Sequence, residues 1–359
     1  MSQLDNIIKI QQLDQSDLHQ KITHLPEQIY LSYFQTEMIK KKLFFTVNFT
    51  LIDKVVICGM GGSAISADIA QTIFGKNFPM ICVKDYKIPF IDVNTLCIFI
   101  SYSGNTEETI SCLQRVKALT PFKAVITTGG KIVDELQSDD VRVIVPPDLP
   151  PRAAIGHLFF SLLKVLETFK IIGNHAEFVN ETVVSLMQKT SILNYYTPTE
   201  KNIAKSSAER ILGKIPLIYS SYPLIAPVAY RWKCQINENA KYPAFFHTFP
   251  EQNHNELEAF THKFSKELMI PIFLRTFHEE TYYQRRIEIY QKMLVQQGVA
   301  FLEFYGEGNN DLTNVFNLIF LGDMISFYLA ILNNVDPSTI SNIELFKNTL
   351  PPLEKFTSV

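Results

Sequence analysis

The sequence predicts an α/β protein of two units, each a mainly parallel β-sheet flanked by helices. Short runs of β-branched and apolar residues recur along the chain, and segments with helical spacing of apolar residues separate most of them. Such alternation is typical of a parallel sheet covered on both faces. It stops for a helical stretch at residues 153–195 and then resumes. The length of 359 residues also favours two domains over one core.

These elements predict a division of the chain into five parts. Residues 1–50 are expected to form an N-terminal helical segment that carries no motif, and residues 51–152 the first α/β domain. Residues 153–195 supply connecting helices, residues 196–334 the second α/β domain, and residues 335–359 a tail with a short helix. No residue-level repeat links the halves, but two similar folds with diverged sequences would give this pattern.

Expected strands can be placed from the apolar runs. They lie at Lys54–Gly59, Met80–Val83, Thr95–Ser101, Lys123–Thr127, Val141–Val145, Pro216–Ser220, Leu268–Arg275 and Val299–Tyr305. The segment between about residue 240 and the strand at Leu268 is rich in Pro, Phe and His, and we expect it to be a loop.

Composition and charge exclude several classes of protein. The chain is 47% hydrophobic and 19% charged, with a formal net charge of −3, so no basic excess favours nucleic acid or an anionic membrane. No signal peptide is evident, and we expect no apolar run approaching the ~18 residues of a membrane span. Five cysteines without C-x-x-C spacing predict buried free thiols and a cytoplasmic protein, with neither disulfides nor zinc.

A hydroxyl-rich loop follows the expected strand at Thr95–Ser101 and precedes a helix. It contains Ser101, Ser103, Gly104, Asn105 and Thr106. Glycine allows close approach of a ligand, and a helix N-terminus presents free N–H groups and partial positive charge, so the loop predicts a phosphate site. The alternative is a simple helix cap by Thr106, but a cap explains only one of the three hydroxyls.

A glycine-rich loop, Gly59-Met-Gly-Gly-Ser-Ala64, follows the first expected strand and opens a helix. Gly61, Gly62 and Ser63 are candidates for contact with a sugar and its phosphate. The loop also satisfies the loose dinucleotide pattern G-x-G-x-x-G/A, which keeps an NAD-dependent dehydrogenase open. However, the acid expected about 20 residues later is poorly matched. A third interpretation is that the glycines serve only a tight turn.

Taken together, the motifs resemble a known family. The two loops, Pro150-Pro-Arg-Ala-Ala154 and the sequences NENAK at 237–241, PAF at 243–245 and PEQNHNE at 250–256 match its signature. The family is that of the bifunctional phosphoglucose/phosphomannose isomerases, within the sugar isomerase (SIS) domain superfamily. The resemblance extends from about residue 50 to the end. Ala64 departs from the family's usual glycine, and Ile340 from a frequent proline.

The resemblance implies two flavodoxin-like SIS domains and a metal-free, cofactor-free aldose–ketose isomerase. It would act on glucose 6-phosphate and fructose 6-phosphate, with mannose 6-phosphate as a further expected substrate. Glu238 is expected to be the base that moves the proton between C1 and C2. Arg152 would stabilise the enediolate, and Lys347 would assist ring opening. His254 would open the sugar ring in the neighbouring subunit's site, which implies a homodimer.

Alternative interpretations of the same residues stay open at this stage. Glu238 also fits an ordinary helix-surface glutamate, Arg152 a structural ion pair, Lys347 a solvated lysine and His254 a polar loop residue. His247 competes with His254, but its aromatic neighbours suggest packing. A non-catalytic sugar-phosphate sensor with the same domains is the main alternative function, and it would lack the base, the histidine and the lysine that this chain retains.

Overall fold

The computed structural model describes residues 2–35, 38–39, 48–137, 139–221 and 223–350. It contains two β-sheets, one from each half of the chain, with helices packed around and between them. The predicted class of two mainly parallel, helix-flanked sheets is confirmed.

The first sheet has six strands. They are β1 (Met38–Ile39), β2 (Lys54–Gly59), β3 (Met80–Val83), β4 (Thr95–Ile100), β5 (Lys123–Thr127) and β6 (Val141–Ile144). Their order is β1-β6-β5-β4-β2-β3, and all pairs are parallel except β1 with β6. Every residue of β4 and β5 is buried, as expected for central parallel strands covered on both faces.

The second sheet has four parallel strands. They are β7 (Ile215–Ser221), β8 (Phe245–Phe249), β9 (Met269–Thr276) and β10 (Leu302–Gly306), in the order β10-β9-β7-β8. Strand β8 corrects the sequence prediction of a loop. It lies at the sheet edge, where Phe245 and Phe246 are both partly exposed. Buried and exposed residues therefore do not alternate along β8 as they do in a typical half-buried strand.

The two sheets share one topology. The order β5-β4-β2-β3 within the first sheet corresponds strand for strand to β10-β9-β7-β8 in the second. In each sheet the first and third of these strands along the chain are central neighbours. The expectation of two similar folds with diverged sequences is therefore confirmed.

Helices cover both sheets and link the halves. The N-terminal segment contains α1 (Ile7–Leu13), α2 (Leu18–Thr23) and α3 (Leu25–Tyr30), followed by a π-helical turn at Leu31–Gln35. The others are α4 (Gly61–Phe74), α5 (Glu107–Val116), α6 (Ile155–Thr168), α7 (Ala176–Leu193), α8 (Ile203–Ile211), α9 (Ala226–Ala240), α10 (Lys263–Leu268), α11 (Thr281–Gln296), α12 (Asp311–Leu332) and α13 (Ser341–Thr349). Helix α10 lies where the sequence predicted a loop.

Helix α12 is the central helix of the second half. Within the described ranges it is the one helix long and apolar enough to cross a membrane, so the expectation of no such run was wrong. Its most apolar 18-residue window is 94% buried inside the protein, where it packs against α7, α8 and α9. The apolar surface of α12 therefore forms the protein core.

The N-terminal segment, which carries no motif, contacts both halves. Gln28 on α3 donates from Nε2 to the carbonyl oxygen of Ala153 at 3.0 Å. Asp5 accepts a hydrogen bond from the backbone N–H of Thr199 at 2.9 Å and pairs with Lys205 at 3.2 Å. The segment thus contacts the start of the connecting region, at Ala153, and the start of the second domain, at Thr199 and Lys205.

All five cysteines are free; Cys58, Cys97 and Cys112 are buried, as predicted, whereas Cys82 and Cys234 are half-buried. Cys58 and Cys97 are buried in the strands of the first sheet. Burial raises the pKa of Cys97 to about 12, so this thiol is protonated and unreactive at neutral pH.

Candidate active site

The glycine-rich loop and the hydroxyl-rich loop lie side by side at the carboxyl edge of the first sheet. They are adjacent because β2 and β4 are paired, with Gly59 opposite Ile100. Helices α4 and α5 begin at these loops, and their N-cap residues, Met60 and Thr106, make no side-chain capping hydrogen bond. The first-turn N–H groups of both helices therefore point to the same edge, which is the usual ligand site of parallel α/β sheets.

The side chains of the hydroxyl-rich loop form two sets of hydrogen bonds, one between two hydroxyl groups and one that holds the loop backbone. Ser101 donates to the Thr106 hydroxyl at 2.9 Å, so the Thr106 side chain pairs with a hydroxyl instead of capping α5. Ser103 accepts from the N–H of Asn105 at 3.2 Å, and the Asn105 amide oxygen accepts from the N–H of Lys131 at 3.1 Å. The paired hydroxyls favour the phosphate interpretation over simple capping, whereas Asn105 holds the loop together.

Gly62 is required by a close contact with the arginine turn. A Cβ at this position would lie 3.1 Å from the carbonyl oxygen of Pro151 and 3.3 Å from the Cα of Arg152. Gly61 has a positive φ of 52°, which favours glycine. Ser63 is buried in the first turn of α4. The glycine-rich loop therefore lies next to both the hydroxyl-rich loop and Arg152.

Arg152 lies in a 3₁₀ turn, Pro151–Ala153, and its side chain is 5% exposed. Its Nε donates to the Asn239 side-chain oxygen at 2.7 Å, and Nη2 donates to the carbonyl oxygens of Pro337 and Ser338 at 2.9 Å each. Nη1 lies 3.9 Å from the carboxylate of Glu238. The guanidinium is thus fixed on two sides while its third nitrogen is close to the predicted base.

A second set of buried groups supports this arginine. Arg231 donates to the carbonyl oxygen of Arg152 at 2.8 Å and to the carboxylate of Asp323 at 2.7 Å. The Asn239 amide nitrogen donates to Ser326 at 2.9 Å. Asp323 and Ser326 belong to the buried helix α12, so the position of Arg152 is tied to the core of the second half.

Lys241 adds positive charge near the same position. It ends α9 in the left-handed conformation, with φ 53°, and donates to the carbonyl oxygens of Asn239 and Asp336. Burial, together with the positive charge of Arg152, lowers the pKa of Lys241 to about 8. Burial also lowers the pKa of Arg152, which the carboxylate of Glu238 opposes.

His254 and Lys347 lie apart from these groups in the single chain. His254 is exposed at the end of a 3₁₀ turn, Glu251–His254, and Lys347 lies on α13, where no residue is buried. Across the part of the chain that the structure describes, neither forms a hydrogen bond or ion pair with Arg152 or Glu238. The structure therefore brings together the two loops, Arg152 and Glu238, and leaves His254 and Lys347 at the surface.

His247 is held by a carboxylate. Its Nδ1 lies 2.8 Å from Glu256, with 31% of the side chain exposed, whereas Phe246 packs on Tyr230. The packing expected from its sequence neighbours is thus only part of its environment.

Sequence reasoning missed the groups that hold Arg152. Asn239 entered only as part of a motif, and Arg231 and Asp323 were not identified at all. An aspartate inside the long apolar run of α12 was the available signal, because a buried charge requires a partner.

A groove of about 520 Å³ lies elsewhere, between the C-terminal part of α4 and the start of α9. Its described lining includes Lys84, Pro227, Tyr230 and Phe246 and none of the predicted site residues.

Comparison with known proteins agrees with this architecture. Residues 200–350 match the family model described as bacterial phospho-glucose isomerase C-terminal SIS domain. The C-terminal domain of glucosamine-fructose-6-phosphate aminotransferase from Francisella tularensis has a similar structure, with TM-score 0.68 and 14% identity, over 90% of this chain and 98% of that one. The fold therefore defines a protein with two SIS domains.

Sequence relatives narrow the class to a family. The chain is 36% identical over 347 residues to a bifunctional phosphoglucose/phosphomannose isomerase of Caldicellulosiruptor bescii, covering 94% of this chain and 100% of the relative. It is 32% identical over 226 residues to a D-glucosamine-6-phosphate 4-epimerase of Sulfolobus acidocaldarius, covering 62% and 68%. The chain belongs to the bifunctional phosphoglucose/phosphomannose isomerase family.

Proposed function

We propose that this protein is an aldose–ketose isomerase that interconverts glucose 6-phosphate and fructose 6-phosphate and also accepts mannose 6-phosphate. The observation that carries the proposal is the buried Arg152, fixed beside the glycine-rich loop with one nitrogen 3.9 Å from the Glu238 carboxylate. A cation held in place beside a carboxylate is the pair that enediolate formation requires.

The phosphate binds at the edge of the first sheet in this proposal. Ser63, Ser101, Ser103 and Thr106 supply hydroxyl donors, and the starts of α4 and α5 supply N–H groups and partial positive charge. Gly61 and Gly62 let the sugar approach the backbone. The absence of side-chain caps at both helix starts supports this assignment. In α4 the N–H of Ser63 already donates to the carbonyl oxygen of Met60, so the N–H groups of Gly61 and Gly62 are the ones offered to an anion.

Proton transfer is assigned to Glu238. The carboxylate takes the proton from C2 of the open-chain aldose and returns it to C1, which gives the ketose. Its side chain is 29% exposed, so it reaches a ligand while lying at the end of a buried helix. Arg152 stabilises the negative charge of the enediolate, and its buried hydrogen bonds fix its position before the reaction begins.

Ring opening requires groups that one chain does not bring to the site. We assign this step to His254 of the partner subunit in a homodimer, with Lys347 assisting. The exposure of both side chains, together with four exposed apolar residues at the end of the chain, supports assembly. These are Ile343, Leu345, Phe346 and Leu350.

A coupled assay tests the reaction itself. The purified chain should convert fructose 6-phosphate to glucose 6-phosphate and should exchange the C2 hydrogen of glucose 6-phosphate with deuterated water. The exchange of the C2 hydrogen should be unchanged by a chelator and should proceed without added NAD. Binding of fructose 6-phosphate without exchange or turnover would instead indicate the non-catalytic sensor, and NAD binding would indicate a dehydrogenase.

Hybrid dimers test the assignment of His254. Glu238→Gln and His254→Ala should each be inactive alone. Mixing the two under subunit exchange should restore part of the activity, because one of the two hybrid sites then has both groups intact. No recovery after exchange has been verified by mass-tagged subunits would place both residues in the same subunit's site.

A further inference from the structure

The second sheet holds a buried carboxylate where the first sheet presents its hydroxyl-rich loop. Strands β7 and β9 are central neighbours, as β2 and β4 are. By this correspondence, the segment between β9 and α11 is the counterpart of the hydroxyl-rich loop between β4 and α5. Glu279 lies in this segment, and its side chain is only 1% exposed.

The Glu279 carboxylate accepts four hydrogen bonds. Arg275 donates to Oε2 from Nε at 3.1 Å and from Nη2 at 2.9 Å. Ser221 donates its hydroxyl to Oε1 at 3.0 Å, and the N–H of Thr276 donates to Oε1 at 3.2 Å. The donors come from the ends of both central strands, and the two bonds from the guanidinium converge on one carboxylate oxygen, Oε2. Charge-assisted bonds from a guanidinium are common to carboxylate and phosphate binding.

We propose that the second sheet carries an anion site, suited to phosphate or a phosphomonoester, which the chain fills with its own Glu279 carboxylate. Each chain therefore binds one sugar phosphate, at the first sheet, although two sheet edges have the required topology. A cavity of about 180 Å³ borders Ser221, Thr276 and Glu279. Removal of the Glu279 side chain thus leaves room for a phosphate ion beside the same four donors.

Other charges around the cavity set the expected affinity. Arg275 also donates to Glu303 at 3.0 Å, and Glu280 and Asp311 line the cavity with His278. A phosphate would meet the donors that Glu279 uses now, while the three carboxylates would repel its extra charge and Lys76, which also lines the cavity, would offset part of that repulsion. We therefore expect binding of inorganic phosphate on the order of millimolar in a variant without Glu279.

The test counts bound phosphate by calorimetry and follows thermal stability in phosphate against chloride of equal ionic strength. The parent chain should bind one inorganic phosphate. Glu279→Ala should bind two, and phosphate should raise its melting temperature more than it raises that of the parent. Glu279→Gln should bind one, because the amide still fills the site. The double variant Ser221→Ala/Glu279→Ala should bind the second phosphate at least several-fold more weakly than Glu279→Ala does.

Two results would overturn the proposal. One is a folded Glu279→Ala chain that binds no more phosphate than the parent. The other is a parent chain that already binds a second phosphate sensitive to Ser221→Ala. If Glu279→Ala does not fold in chloride, recovery of folding in phosphate but not in chloride supports the anion site, and failure of phosphate to restore folding counts against it. None of these measurements uses isomerase activity, so the outcome is separable from that of the proposed function.

Discussion

The two sheets have the same strand order but present different chemistry at their carboxyl edges. In the first, glycines and two paired hydroxyls, Ser101 and Thr106, line an edge with uncapped helix starts. In the second, Arg275 and Ser221 are already bound to Glu279. Under the two proposals, the topology determines where a ligand can bind, and a few side chains at the sheet edge decide which of the two equivalent edges is open.

The second half contributes to the site through the far end of a helix. Helix α9 begins after β7, at the filled edge, and ends with Glu238 and Asn239 beside Arg152. Its 15 residues span roughly 22 Å at 1.5 Å per residue. The proposed base therefore lies near the edge of the first sheet, although it belongs to the second half of the chain, where Glu279 occupies the corresponding edge.

The largest effect is expected from substitution of the proposed base, which the second half contributes to a site on the first sheet. Glu238→Gln keeps the size of the side chain and removes the proton acceptor, so kcat should fall by about 10²–10⁴. KM should change little, because the phosphate contacts lie on the first sheet. Isotope exchange at C2 should disappear with turnover. Exchange at nearly the parent rate would assign the base elsewhere, with Glu251 and Glu256 the first to examine.

The next effect compares the hydroxyls of the two edges directly. Ser101→Ala combined with Thr106→Ala should raise KM for fructose 6-phosphate at least roughly tenfold, since charge-assisted hydrogen bonds contribute about 1.5–3 kcal/mol each. The matched control is Ser221→Ala at the filled edge, which should leave KM unchanged. Equal increases of KM in the two variants would contradict the assignment of the substrate's phosphate to the edge of the first sheet.

A smaller effect is expected from Asn239, which we regard as a positioning residue. Asn239→Ala removes the acceptor of Arg152 Nε and should lower kcat about 5- to 30-fold, equivalent to about 1–2 kcal/mol, with a smaller change in KM. Asn239→Asp retains an acceptor and should recover part of kcat. Asn333→Ala removes a comparable bond to the end of α9, at Ala240, and serves as the stability control. Equal kcat losses in Asn239→Ala and Asn333→Ala would indicate a merely structural role.

The smallest effect concerns stability and the contacts of the N-terminal segment with each half. Burial lowers the pKa of His157, beside Ser32, and of His19, packed on Phe327, to about 4 each. The folded state therefore favours neutral imidazole. Its stabilisation is complete above the unfolded pKa near 6.5 and is lost as the pH falls toward 4.

Urea unfolding at pH 7.5 and pH 5 measures this loss. Each buried histidine should reduce the unfolding free energy by about 1–2 kcal/mol at pH 5. His157→Gln or His19→Phe should remove its own share of the pH dependence, whereas the exposed His24→Gln should not. If all three variants keep the parent's pH dependence, charging of the buried histidines does not contribute to it.

Much of the fold follows from local sequence patterns. Strands β2, β3 and β5 begin and end at the predicted residues, because uninterrupted apolar runs mark them. Strand β8 was missed because an edge strand with exposed aromatic residues lacks that signal. The Ser101–Thr106 pair was within reach of sequence reasoning because the two residues lie five positions apart, whereas the contact of Gly62 with the Pro151–Arg152 turn lies far along the chain and carried no sequence signal.

The surroundings of Arg152 could not be predicted in the same way. Its acceptors include the carbonyl oxygens of Pro337 and Ser338, which lie 185 and 186 residues further along the chain. A backbone carbonyl carries no sequence signature, so no motif identifies it. Glu279 escaped detection for a related reason, because a glutamate at a loop end resembles a solvated one until its donors from two strands are seen together.

The long separation between Arg152 and its carbonyl acceptors has a consequence for synthesis on the ribosome. The first sheet is complete once residue 144 has emerged, so it can form while the rest is being translated. The arginine turn gains its last two acceptors only when residues 336–338 leave the exit tunnel. A nascent chain that has not yet exposed Ser338 can therefore hold an ordered first sheet while the Arg152 guanidinium still lacks two of its acceptors.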